Sequence, residues 1–309
     1  NAIAVANGFS QAQADGLGLK TETVGRTGYE EQYLTDYEAE SIKTDISLNY
    51  RPNGDDLEII WNSKFGNGNT IYQGANRYSI KNFSMEQHKL EIRNDNFFVR
   101  AYTTQEDAGD SYDMRFTGIN MNVETAPAWY GVYVPTYLGA ISGQVPGVPA
   151  GDSATAHAVA RQNADNLATP QPGSPEFIAL FDKISTDPDL ISGSKFQDQT
   201  KLYHAEGNYN FGHLLDWAEI QVGGSWREYS LNSSGTIFTD YDGPIDYDEY
   251  GAYMQLQKKF ADDRLKFTGS IRYDKAQNFD GNVSPRVSFA YSAGEDRNHN
   301  FRVAFQTGF

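Results

Sequence analysis

Residues 41–62 read SIKTDISLNYRPNGDDLEIIWN, and the order of apolar and polar side chains in this stretch decides the fold class. Ile42, Ile46, Leu48 and Tyr50 fall on one face of an extended chain, while Lys43, Asp45, Ser47, Asn49 and Arg51 fall on the other. Successive side chains of a strand point to opposite faces, so a period of two predicts a β-strand with one greasy and one polar side. Pro52, Asn53, Gly54 and Asp55 supply dense turn chemistry, after which Leu57, Ile59 and Trp61 alternate against Glu58 and Asn62. The stretch therefore reads as a hairpin.

The pattern recurs downstream. Leu90 and Ile92 oppose Gln87, Lys89, Glu91 and Arg93, and Asn94 with Asp95 turns the chain into Phe97, Val99 and Ala101, with Arg100 and Tyr102 on the reverse side. Tyr203, Ala205 and Tyr209 oppose His204, Glu206 and Asn208; Ala218, Ile220, Val222 and Trp226 then oppose Glu219, Gln221 and Arg227. Residues 250–256, 265–273, 287–291 and 301–305 continue the alternation, with Arg272, Arg286 and Arg302 among the polar partners. About ten strands are legible in this way.

Short turns near Asn53, Asn94, Leu214 and Asp262 alternate with long segments after Phe65, Thr104, Asn232 and Lys275. The glycine-rich run Gly66-Asn67-Gly68-Asn69 reads as a turn between strands rather than a phosphate cradle. The longest connection, Gln105 to Thr200, exceeds what a compact domain leaves without structure of its own. Asp152 or Ser153 is placed to cap an Ala-rich helix toward Asn163, and Ser174 with Pro175 and Glu176 opens a second helix bearing Phe177, Ile178, Leu180, Phe181 and Ile184. Alternating short and long connections are expected of an antiparallel up-and-down transmembrane β-barrel, with short turns on the inner side of an outer membrane and long loops outside. The expected organisation is a partial barrel: 1–40 an external loop region, 41–104 strands, 105–200 a long external loop with helices, and 201–309 strands.

Composition narrows the function classes. No apolar run reaches the roughly 18 residues a membrane-crossing helix needs, a limit that leaves β-strands untouched. With 0 cysteines there is no thiol nucleophile, disulfide framework or cysteine metal cluster. A net charge of -16 disfavours nucleic acid, because phosphate binding needs clustered Lys and Arg. Residues 1–10 have no basic stretch leading into an apolar one, so no signal peptide is expected within them.

Several segments resemble the barrel of TonB-dependent receptors of the Bacteroidetes type. They are Arg26-Thr27-Gly28-Tyr29, the run Asn96 to Thr104, Gly109-Asp110-Ser111-Tyr112, Ser284-Pro285-Arg286-Val287, and the ending Phe301 to Phe309. The resemblance covers most of the chain from about Arg26 onward. It implies a 22-stranded barrel with an amino-terminal plug, and import energised by TonB through a motif before that plug. This chain is expected to be a middle section of such a barrel, without the plug and the TonB-contacting region. A terminal aromatic such as Phe309 can serve as an insertion signal, but the family pattern runs on past Gly308-Phe309, so a continuing chain is the expectation. Implied partners are outer-membrane lipid, TonB through the missing amino-terminal region, a nutrient ligand (oligosaccharide, peptide or metal chelate) and a surface lipoprotein; no cofactor and no enzymatic activity are implied.

Polar residues on alternating strand positions should line the lumen: Arg100, Arg227, Arg272, Arg286 and Arg302, with Glu91, Glu206 and Glu219. Cross-strand pairing and hydration account for such charges equally well. Trp129, Tyr130, Tyr133 and Tyr137 form an aromatic cluster in the long loop whose rings suit stacking on a sugar or an apolar ligand, or packing of the loop on itself, or a membrane interface. Asp240, Asp242, Asp246, Asp248 and Glu249 offer oxygen ligands without the spacing of a calcium loop, and His88, His157, His204, His213 and His299 show no zinc-binding spacing, so no metal site is expected. No catalytic residues are assigned. A secreted β-sandwich that binds glycans through aromatic loops is the alternative, and a β-rich hydrolase with carboxylates assembled in space is a third reading. The sandwich and the barrel differ in one observable: a sandwich hides the Val, Ile, Leu and Phe face inside.

Overall fold

The computed structural model describes the chain except residues 1–4, 9, 17–22, 53, 55 and 309; the turn residues Asn53 and Asp55, the first residues of the chain and the terminal Phe309 thus lie outside the described residues. The strands are β1 (Glu40–Tyr50), β2 (Glu58–Gln73), β3 (Arg77–Arg93), β4 (Phe97–Asp107), the short β5 (Tyr112–Asp113), β6 (Lys201–Asn210), β7 (Glu219–Leu231), β8 (Ile245–Phe260), β9 (Leu265–Ala276), β10 (Asn282–Ala293) and β11 (His299–Gln306). Pairing runs β1-β2-β3-β4-β6-β7-β8-β9-β10-β11, a meander in which neighbours in the chain are neighbours in the sheet; β5 pairs with β3 off this path. The ends β1 and β11 do not meet, so the sheet is part of a barrel wall rather than a closed ring.

The chain divides into two compact units: residues 40–69, 82–109 and 197–309, and residues 1–39, 70–81 and 110–196. The first is the sheet. Its tight turns form where turn residues sit in the sequence: the Asn94 side chain accepts from the backbone N–H of Asn96 and of Phe97, both at 2.9 Å, closing the β3–β4 connection. Between β8 and β9, Ala261, Asp262 and Asp263 all take positive φ, 54°, 54° and 66°, a conformation that Asp tolerates better than branched residues.

The alternating apolar row stays exposed along the sheet. Leu48 is 62 %, Val99 58 % and Val303 71 % accessible. The same side chains would be hidden in a sandwich, so that alternative fails on the observable that separates it from a barrel. On β8 this face runs from Tyr250 to Phe260 with Lys258, near its end, the one charged member; at a rise of about 3.3 Å per residue and a tilt of about 40°, those ten steps cover roughly 25 Å, the height of the apolar band on outer-membrane barrels.

Two expected loops are strand instead. The run Gly66 to Asn69 lies inside β2 and pairs with residues 40–43 of β1. Gly68 is there for contact rather than for turning: a Cβ at this position would come within 2.3 Å of the Glu40 carbonyl oxygen. The connection after Phe65 therefore shrinks to residues 74–76, and the one after Lys275 to 277–281.

The second unit is helical. It holds α1 (Gln11–Gly16), α2 (Met114–Glu124), α3 (Ala126–Ile141), α4 (Ser153–Ala168) and α5 (Pro175–Thr186). The expected caps are present: Asp152 accepts from the N–H of Thr155 to start α4, and Ser174 accepts from the N–H of Phe177 to start α5, with Pro175 in the first turn. Helix α4 runs five residues past the expected Asn163. Ala156, Ala160 and Ala164 make a stripe of small side chains down one face of it, and Trp129 and Tyr133 of α3 pack with Ala160 and Ala164. A second cluster joins Leu34, Met121, Phe177, Leu180 and Ile184, with Tyr29 and Phe181 beside it. The motif residues 110–112 bond within this unit: the Lys81 N–H donates to Ser111 Oγ at 3.0 Å, and the Tyr112 hydroxyl donates to the Leu34 carbonyl at 2.7 Å.

Candidate functional site

Opposite the apolar row, the other side chain of each pleat builds one continuous polar face from β3 to β11, because antiparallel partners share a face. Glu91 is opposite Arg100, Arg100 opposite Glu206, His204 opposite Arg227, and Arg227 opposite Glu249. Registers therefore place a charge of one sign next to the other at several steps. Arg100 and Glu206 form an ion pair, Arg227 lies 3.4 Å from Glu249, and Arg272 lies 2.6 Å from Asp274 two residues along β9. Glu91 is nearly covered and takes Lys89 at 2.9 Å. Glu219 of β7 accepts from the Asn210 amide at 2.9 Å.

Glycines shape this face. Gly251 of β8 is opposite Asp274, and a Cβ there would lie 2.6 Å from the Asp274 carboxylate and 3.0 Å from the Arg272 guanidinium. The missing side chain lets the Arg272–Asp274 pair lean over β8. A hollow of about 650 Å³ results, lined by Arg227, Glu249, Arg272, Asp274, Phe279 and Asn282 among others. With Lys275, Asp280 and Tyr250 it offers three cations, three carboxylates, an amide and two exposed aromatic rings, a set suited to orienting a polar solute by hydrogen bonds. Of the expected lumen residues, Arg100, Glu206, Arg227 and Arg272 share this part of the sheet. Arg286 is opposite Ser270 and Arg302 opposite Ala290, both exposed further along the same face.

The aromatic four all sit on α3, a helix where the sequence predicts loop. Trp129 and Tyr133 are buried, with rings stacked at 4.7 Å, and Tyr133 continues to Tyr137 at 6.3 Å. The Trp129 indole donates to Asp165 at 2.8 Å, and Tyr133 hydrogen-bonds His157 at 2.5 Å. Tyr130 is the most exposed of the four, at 39 %.

The acidic run does not converge. Asp240 turns inward to its own loop, accepting from Ser233 Oγ at 2.7 Å and from the N–H groups of Ser234 and Gly235 at 2.8 Å each. Asp248 accepts from the Trp226 indole at 3.0 Å on the apolar side, and Glu249 serves Arg227 on the polar side. Burial works against the Asp240 charge, but these hydrogen bonds outweigh it and hold its carboxyl well below the usual carboxylate range. Asn208 stands on the polar face as its alternation predicts, whereas Gly223, Gly251 and Tyr253 are parts of that face the sequence does not reveal; their signal is a glycine in register with a large side chain, invisible until the register is known.

The family model described as TonB dependent receptor-like, beta-barrel matches residues 4–309. No curated protein sequence matches the chain. Among solved structures, a mutant of the ferric enterobactin receptor of Pseudomonas aeruginosa is similar at 11% identity and TM-score 0.48, over 83% of this chain and 31% of the other. The FrpB iron transporter of Neisseria meningitidis is similar at 10% identity and TM-score 0.47, over 87% and 36%. The copper transporter OprC is similar at 12% identity and TM-score 0.46, over 87% and 38%. The chain thus spans about a third of the length of these proteins.

Proposed function

The chain belongs to the TonB-dependent receptor β-barrel family, and from that premise we propose that it forms part of the wall, and the ligand-capturing loops, of an outer-membrane importer. Barrels of this family reside in the bacterial outer membrane and act as receptors and transporters rather than enzymes. The observation that carries the proposal is the two-sided sheet: an exposed apolar row about as tall as a bilayer core, backed by a face of paired charges. A polar nutrient would pass along the charged face, and Arg227, Glu249, Arg272 and Asp274 would hold it transiently.

The cargo we assign is an oligosaccharide, peptide or metal chelate, with uptake driven by TonB acting on a plug and assisted by a surface lipoprotein over the external loops. Tyr130 is the ring of the aromatic four best placed for capture, because it is accessible while Trp129 and Tyr133 are committed to packing. The Bacteroidetes affinity belongs to the same proposal and is supported by the sequence segments quoted for it. Glu249 and Asp274 of the hollow act here as partners of arginines, which argues against a hydrolytic role for this pair.

The test is growth of a strain expressing the full-length receptor on single limiting nutrients, with and without TonB. Uptake that needs both the receptor and TonB is the expected result. A receptor found in the soluble fraction, or uptake indifferent to TonB, would overturn the proposal.

A further inference from the structure

The apolar row gives way to polar residues across five neighbouring strands; its last wholly apolar level is Leu48 opposite Trp61, and Leu90 opposite Ala101, which is opposite Ala205. Ile46 is opposite Ser63, His88 is opposite Thr103, and Thr103 is opposite Tyr203. Ser63 and His88 join β2 to β3 through a hydrogen bond of 2.8 Å. Two residues further along each strand, on the same face, stand Thr44, Phe65, Glu86, Gln105 and Lys201, with Thr44 opposite Phe65, and Gln105 opposite both Glu86 and Lys201. Over two pleat repeats, about 13 Å, a hydrocarbon-compatible face thus becomes a largely polar one, with Ile42 and Phe65 as its apolar exceptions. In a bilayer that change marks the level where acyl chains give way to head groups.

At that level the face is hollowed. A depression of about 590 Å³ is lined by this polar row together with Asn67, Gln199 and Asn232. Four carboxamides supply both donors and acceptors at fixed positions. Phe65, held edge-on by His88 at 5.4 Å, keeps 42 % of its surface open as an apolar platform. The ionic lining on this face is Lys201 against Glu86 and Asp107, one cation against two anions, which disfavours a phosphate and leaves hydroxyl groups welcome. Carboxamides, carboxylates and an exposed ring are the groups that bind a sugar, through its hydroxyls and its apolar C–H face.

Resting on the outer-membrane reading above, we propose that this depression seats the uncharged sugar head of an outer-leaflet glycolipid, with its acyl chains lying along the apolar row below Ser63 and His88. The occupant is a lipid rather than a free sugar because the depression opens on the face that carries the apolar row, not on the polar face. The site is separate from the nutrient path.

The test is native mass spectrometry of the full-length receptor, purified from outer membranes and titrated with monoglucosyl diacylglycerol, phosphatidylglycerol and maltotriose. Preferential retention of the glycolipid is expected, falling about tenfold in Phe65→Ala/Gln105→Ala and unchanged in Gln257→Ala on the opposite face. Equal retention of phosphatidylglycerol, or full retention by the double variant, would overturn the inference. So would maltotriose binding as tightly as the glycolipid, which would mark a free-sugar site. Should the double variant fail to insert, Gln105→Glu, which adds one more anion at nearly constant shape, must show the same loss. A receptor with heat-modifiable migration but no glycolipid preference would sink this inference alone, whereas a receptor that never enters membranes would sink the outer-membrane reading.

Discussion

The Asn208 amide donates to the Tyr253 hydroxyl at 2.6 Å, although β6 and β8 are separated by β7. The residue between them is Gly223, opposite Asn208 on one side and Tyr253 on the other. A Cβ at residue 223 would lie 2.4 Å from the Tyr253 ring, so the ring crosses β7 only because that position is bare. Gly223→Val should therefore displace the ring and cost about 1–3 kcal/mol, as overpacking does elsewhere. Adding Tyr253→Ala should recover most of the loss, because the clash partner is gone. Urea unfolding of the full-length receptor in vesicles measures both; additive losses would refute the crossing.

The two faces make opposite demands on a charge. Met254 sits midway along the apolar row of β8, and Gln255 points the other way. Met254→Arg should cost about 2–4 kcal/mol, the penalty for arginine at the bilayer midplane, while Gln255→Arg should cost less than about 1. The same unfolding measurement compares them, and equal costs would contradict the assignment of faces.

Arg272 and Asp274 are partly exposed to solvent, so their ion pair should add little to stability. Its value lies in presenting an oriented guanidinium to the hollow. Arg272→Gln should leave the unfolding midpoint within the scatter of replicate measurements while lowering nutrient capture about tenfold, read as the nutrient concentration giving half-maximal growth. A variant with unchanged capture would remove Arg272 from the path.

The strands were legible because each carries its own record: Ile42 to Tyr50, or Leu90 to Ile92, alternates without help from distant residues. The Gly66–Asn69 run misled because glycine and asparagine favour turns locally, whereas here Gly68 answers to a carbonyl on a neighbouring strand. Helix α3 went unread for a related reason. Gly131 and Pro135 weaken its helical propensity, and the Ala160 and Ala164 surface that stabilises it lies some 30 residues later in the chain. The charged side chains of the candidate site were visible as residue types, but their pairing depends on registers that loop lengths fix, and those lengths were misjudged after Phe65 and Lys275.

Trp129 and Tyr130 are adjacent in sequence and differ in role. Trp129 is wholly buried and its indole is bonded to Asp165, so Trp129→Ala should cost about 3–5 kcal/mol and open the helical unit to protease. Tyr130→Ala should leave protease resistance intact and weaken nutrient capture. Limited proteolysis with a binding assay on each variant separates the two; a Tyr130 variant that binds normally would remove this ring from capture.

Asp240 gives the β7–β8 loop a pH dependence whose sign follows from linkage. Its folded carboxyl titrates below the roughly 3.9 of an unfolded aspartate, because the ionised form accepts from Ser233, Ser234 and Gly235. The loop's extra stability is therefore complete above about pH 4 and is lost as pH falls through the lower folded value. Hydrogen exchange at the Ser234 and Gly235 amides should stay equally protected, after correction for intrinsic rates, from pH 7 down to about 5 and weaken only under stronger acid. Asp240→Asn, which keeps the shape but removes the charge, should lower that protection already at pH 7 and abolish its acid dependence. Protection that declines between pH 7 and 5 in the native receptor would place the titrating group elsewhere, on a residue with a higher folded value.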